Sequence, residues 1–215
     1  MRSTSLLTFL VVSLSTATSL AMAEINDVAD LSSDTIVLFS EVQKFAEDIQ
    51  SSADSLLPTY LSFQGAPLSD PDYRLPHIKV VNLPTANMDY DTFIRQTDET
   101  RLKNNLYFYS AIVEFLKEAM TEQEDLNPAE LALKAKFEEA MANSNTLISK
   151  ISDIMTQMGM SVTITLPKPL VVPFKGSAYF SKKLRGGVVC KEYKERVFLT
   201  RRDFMLLAEK YQGPL

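Results

Sequence analysis

Apolar residues return at alternating three- and four-residue steps in four separate stretches of this chain, the period of amphipathic helices. The first stretch runs from Thr35 to Phe63 through Leu38, Val42, Phe45, Ile49, Leu56 and Tyr60. Pro58 near its end is expected to kink the last turns. A second helix is expected over 88–121, with Leu102, Leu106, Tyr109, Val113, Leu116 and Met120 on one stripe. Asn127-Pro128 followed by Glu130 reads as the N-cap and first position of a third helix over 128–158. Its stripe is Phe137, Met141, Leu147, Ile151, Ile154 and Met158, with Gly159 as the stop. The fourth, over 177–211, carries Cys190, Tyr193, Val197, Phe204, Leu207 and Tyr211, with Gly186-Gly187 inside it.

The connections decide the topology. Residues 64–87 hold Pro67, Pro71, Pro76 and Pro84, and residues 160–176 hold Pro167, Pro169 and Pro173. Both read as long irregular loops, whereas the second and third helices are separated only by residues 122–126. A helix of ~28 residues is ~42 Å long, and a loop of ~20 residues reaches at most ~66 Å. Each long loop can run the length of a bundle and the short one cannot. Long, short, long connections predict an all-α, long-chain four-helix bundle running up-up-down-down, with two long crossovers.

The first residues stand apart from this pattern. Arg2, an apolar run from Leu6 to Leu14 and the tripeptide Ala21-Met22-Ala23 read as a signal peptide over 1–23, leaving a bundle domain over 24–215. Export is therefore expected, with a secreted, extracellular product. No later run is apolar enough to span a bilayer, so no membrane insertion is expected. Cys190 is the single cysteine among 215 residues, and an intramolecular disulfide is excluded. It reads as a small hydrophobe on a helix face in preference to a redox switch or intermolecular bridge.

Charge is uneven. The chain carries −5 overall, yet the residues from Lys175 onward hold ten Lys and Arg against Glu192, Glu195, Asp203 and Glu209. An acidic exported body with no groove-reading motif excludes nucleic acid as a partner. Enzyme chemistry is also unexpected: His77 is the sole histidine, in a proline-rich loop, and phosphate-binding or nucleophile-elbow motifs are missing. The carboxylates Glu138-Glu139 read as a solvated face. No catalytic residue, metal site or cofactor is expected. The remaining alternative to a signalling ligand is a secreted amphipathic helical lipid carrier, against which two proline-rich crossovers argue.

Several segments carry a family resemblance. Thr59-Tyr60-Leu61-Ser62-Phe63-Gln64-Gly65-Ala66-Pro67, then Asp70-Pro71-Asp72-Tyr73, resembles the end of the first helix and the loop of cardiotrophin-like cytokine. So do Leu83-Pro84, Ala86, Asp89, Asp98, Arg101-Leu102, Asn105 and Tyr109-Ser110. Phe180-Ser181-Lys182-Lys183-Leu184 is similar to the start of the last helix in ciliary neurotrophic factor. Both belong to the interleukin-6 and leukaemia inhibitory factor group of cytokines.

The resemblance implies a ligand of cytokine receptor ectodomains, triggering receptor-associated kinase and STAT signalling. It implies a shared signal-transducing receptor on the first and third helices. A leukaemia inhibitory factor receptor-type chain is implied at Phe180 and Lys183, an intact Phe-x-x-Lys pair. The third implied partner is an alpha co-receptor on the first loop and last helix, where Asp203 and Phe204 match, Phe93 stands for a Trp, and Leu199 stands for an Arg. Read by composition alone, Phe180 could instead plug the end of the bundle, with Lys183 merely solvated.

Overall fold

The computed structural model describes residues 33–171 and 179–212, so the expected signal peptide lies outside the described residues. The elements are α1 (Ser33–Asp48), α2 (Gln50–Ser62), α3 (Tyr90–Arg95), α4 (Asp98–Leu126), α5 (Leu131–Gln157) and α6 (Tyr179–Gln212). The rods α1–α2, α4, α5 and α6 correspond to the four predicted helices, with α3 taking up the start of the second.

Ile49, between α1 and α2, keeps helical angles of φ −85° and ψ −5°. Its N–H donates to the Phe45 carbonyl at 3.1 Å, and its carbonyl accepts from Ala53 at 3.0 Å. The two helices thus form one continuous rod. Pro58 lies inside α2, which runs on to Ser62.

The second predicted helix is divided. Asp89 caps α3 by accepting from the Thr92 N–H at 2.9 Å, and Gln96 at its far end is extended, with ψ 135°. Thr97, also extended, caps α4 by accepting from the Thr100 N–H at 3.2 Å. Asp98 and Glu99 then place negative charge in the first turn of α4, where the helix dipole favours it. Two good caps in quick succession restart the helix even though the apolar stripe runs through both.

α4 continues to Leu126, beyond its predicted end at Thr121, because Glu122, Gln123 and Leu126 are buried. Asn127 accordingly ends α4, with its N–H bonded to the Gln123 carbonyl at 2.7 Å, and it does not cap the next helix. After a short turn, Glu130 takes the N-cap position of α5. The stop at Gly159 is as expected: its φ is +66°, a left-handed angle suited to glycine, and Met160 N–H bonds back to the Met155 carbonyl at 2.8 Å.

Contacts at the two ends of the bundle give the helix directions. At one end, Thr35 of α1 bonds Gln157 of α5 at 3.0 Å, and Gln212 of α6 bonds Ser40 at 3.0 Å. Tyr211 of α6 bonds Asp98 of α4 there at 2.5 Å. At the other end, Tyr60 of α2 bonds the Lys183 carbonyl at 2.9 Å, and Gln64 bonds Gln123 of α4 at 2.9 Å. The starts of α1 and α4 therefore lie together, and α5 and α6 run the opposite way. This is the predicted up-up-down-down bundle.

The four stripes meet inside. Phe39, Val42, Leu56, Tyr60, Leu102, Tyr109, Phe137, Ile151, Tyr193 and Phe204 are all buried in one core. Cys190 is buried among them, and burial pushes its thiol well above the usual range. Among the described residues no helix is long and apolar enough to cross a membrane.

Candidate functional site

The start of α6 departs from the rule that large apolar side chains turn inward. Tyr179 is 54% exposed and Phe180 47% exposed. They sit at the end of the bundle where α2 and α4 finish, and Leu131, 76% exposed, opens α5 at the same end. Neighbouring residues of this turn are tied down. The Tyr179 hydroxyl donates to the Leu126 carbonyl at 3.4 Å, and Lys182 pairs with Asp125 at 3.8 Å. Lys183 is half-buried; its ammonium donates to the Gln64 carbonyl and lies 4.7 Å from the centre of the Tyr179 ring. Arg185, deeper in α6, pairs with buried Glu122 and reaches Glu118 at 3.1 Å. Burial raises the Glu122 carboxyl above its ordinary range, with Arg185 opposing the shift.

Phe180 is thus not the plug of the bundle end. It stands half-open next to Tyr179, whose ring lies against the Lys183 ammonium, on a turn anchored to two other helices. Sequence reasoning paired Phe180 with Lys183 and missed Tyr179. The signal was present: consecutive residues lie ~100° apart around a helix, so two adjacent rings cannot share one narrow buried stripe.

Phe93, Asp203 and Phe204 have a different place. Some 20 residues separate Lys183 from Asp203, about 30 Å along α6. Phe204 is fully buried, with its ring 6.3 Å from that of Phe39. Asp203 is 1% exposed and accepts hydrogen bonds from Arg101, from Asn105 at 2.8 Å and from Arg196 at 3.3 Å. Asn105 in turn accepts from Thr200 at 2.7 Å, and Thr200 shares a hydrogen with Tyr109 at 2.8 Å. Phe93 is 4% exposed, with the guanidinium of Arg101 5.0 Å and that of Arg202 5.1 Å from its ring centre.

Arg101 links Phe93 to Asp203, because it also donates to the Phe93 carbonyl at 2.9 Å. The three side chains expected to touch a partner are buried here: Phe93 and Asp203 join α3 and the start of α4 to α6 through Arg101, and Phe204 packs against Phe39 of α1. Desolvation explains why the Asp203 carboxylate is so well paired. A buried carboxylate is tolerated only with its lone pairs filled, and Asp203 accepts from Arg101, Asn105 and Arg196.

A groove of about 700 Å³ lies between α2, α6 and the first crossover, lined by Leu57, Leu61, Tyr73, Leu75, His77 and Lys191. His77 is exposed at its rim.

A family model described as plethodontid receptivity factor PRF matches residues 2–215. The chain is similar to cardiotrophin-2 of Mus musculus, with 32% identity over 165 residues, covering 77% of this chain and 80% of that protein. Similarity to cardiotrophin-2 of Pan troglodytes is 31% identity over 174 residues, covering 81% and 85%. With its helices in the up-up-down-down order, the chain belongs to the plethodontid receptivity factor family, within the interleukin-6 and leukaemia inhibitory factor group of cytokines.

Proposed function

We propose that the chain is exported after cleavage of residues 1–23 and acts outside the cell by binding and assembling receptors of the interleukin-6 family. The receptors are a shared signal transducer and a leukaemia inhibitory factor receptor-type chain, whose assembly starts kinase and STAT signalling. The second receptor is bound through Phe180 and Lys183, with Tyr179 added to the contact. The observation that carries this reading is the pair of adjacent exposed aromatics at the start of α6, Tyr179 and Phe180, on a turn that other helices hold in place. An exposed ring held beside a charge on a rigid element suits an interface hot spot, since little side-chain freedom is lost on binding. Phe93 and Asp203 serve this function from inside by holding α3 to α6 through Arg101, and Phe204 by packing α6 on Phe39 of α1.

The test measures binding of the Phe180→Ala, Lys183→Ala double variant to purified receptor ectodomains. Helicity should be unchanged, and affinity for the leukaemia inhibitory factor receptor-type chain should fall at least ~10-fold, as expected for loss of a hot spot. Undiminished binding by the folded double variant refutes the contact. N-terminal sequencing of secreted material checks cleavage after Ala23.

A further inference from the structure

We propose that Tyr60 is the positioning residue for the receptor-facing start of α6, fixing the rotation of that turn through its hydroxyl and the missing side chain of Gly186. The inference rests on the reading of Phe180 and Lys183 as a receptor contact.

Tyr60 is wholly buried, with its ring set edge-on to Phe137 at 6.1 Å. A phenylalanine would fill that space equally well, so the hydroxyl needs its own explanation. It donates to the Lys183 carbonyl at 2.9 Å and accepts from Gln123 at 3.3 Å. Gly186 lies one turn beyond Lys183 on the same face of α6. A Cβ there would stand 2.2 Å from the Tyr60 hydroxyl oxygen and 2.6 Å from the ring carbon that bears it. Any side chain at 186 displaces the phenol. Glycine is a poor residue for a helix interior, and at this position the close approach of Tyr60 accounts for it.

The hold extends to the Lys183 side chain. Its ammonium donates to the Gln64 carbonyl, while the Gln64 side chain donates to the Tyr60 carbonyl at 3.0 Å and to Gln123 at 2.9 Å. Lys183 is therefore fastened at its carbonyl by Tyr60 and at its ammonium by the residue one turn after Tyr60. Phe180 sits three residues before Lys183 and shares its face. A rotation of α6 by about 30° would carry a side chain at ~6 Å radius through about 3 Å, enough to misplace the Phe180 ring.

The test compares Tyr60→Phe, the Phe180→Ala, Lys183→Ala variant and all three changes combined. The probe is an immobilised ectodomain of a leukaemia inhibitory factor receptor-type chain. Tyr60→Phe alone should weaken binding about fivefold, and in the combined variant it should add nothing, the non-additivity of coupled residues. Amide exchange at 180–186 should quicken in Tyr60→Phe while that of α5 is unchanged. Normal binding and unaltered exchange overturn the proposal. So does a loss that adds in full to that of the double variant, which marks general destabilisation. If the Phe180→Ala, Lys183→Ala variant itself binds normally, the receptor reading falls, and exchange at 180–186 alone decides whether Tyr60 holds the turn.

Discussion

Asp203→Asn is the perturbation that most directly tests the internal role of the α4–α6 charge cluster. The change is nearly isosteric, so it opens no cavity. It removes the carboxylate that, among the described residues, pairs with the buried guanidiniums of Arg101 and Arg196, whose side chains are 4% and 5% exposed. Leaving a buried charge uncompensated typically costs about 3–5 kcal/mol. Asn105 would still donate to the amide oxygen, so the lower end of that range, about 3 kcal/mol, is expected. For a domain of this size, that lowers Tm by roughly 10 °C. It also removes a large share of a typical stability of about 5–15 kcal/mol. Urea titration followed by circular dichroism gives the free energy, and calorimetry gives Tm. A second variant, Arg101→Met, Arg196→Met and Asp203→Leu together, replaces all the charge with apolar volume and should lie within about 1–2 kcal/mol of the parent. A loss under about 1 kcal/mol for Asp203→Asn refutes the reasoning, because the arginines would then be neutralised elsewhere. A folded variant with normal stability but weakened receptor binding would return Asp203 to the surface role that the sequence suggested.

Cys190, buried with its thiol pushed up by desolvation, should resist alkylation at pH 8 in the folded protein and react at once in urea; rapid labelling without denaturant contradicts its placement. Glu192 accepts from the Ala86 N–H at 2.6 Å, and burial raises its carboxyl above the ordinary 4.5. The folded state then holds that proton more tightly than the unfolded chain, so this group's contribution to stability is full below pH 4.5 and is lost as pH rises through the folded value. Glu192→Gln should stabilise the protein at about pH 7 and leave it unchanged at about pH 3.5, measured by urea midpoints; an equal gain at both pH values refutes the titration argument.

The bundle was legible because helical periodicity reports burial, and the two proline-rich crossovers report direction. The stripe of Leu102, Leu106, Tyr109 and Leu116 lies inward as its spacing implied. The break at Gln96-Thr97 was hidden, because an apolar stripe can continue through a change of helix while only a cap marks the restart. Asn127 misled for a related reason: its backbone can finish one helix or its side chain can open another, and the burial of Leu126 decides between them. The charged cluster was the least legible feature. Arg101 is distant in sequence from Arg196 and Asp203, and each alone reads as a solvated residue. Their pairing exists only once α4 and α6 are side by side. At the candidate site, Phe180 stood out because it precedes the clean stripe of α6, whereas the holds on Lys183 come from α2 and the residues after it.

The bond from Gln212 to Ser40 and the stacking of Tyr211 on Phe39, with ring centres 5.5 Å apart, bring the first and last described helices together at the end remote from Phe180. Labels or surface tethers joined at Ser33 or Gln212 would therefore leave from the base of the bundle, remote from the aromatic pair. An immobilised protein would offer that pair to solution in a uniform orientation. A bridge between residues 33 and 212 could also close the described helices into a ring and let it be reopened at the 127–130 turn, bringing the new ends beside the aromatic pair without altering the core.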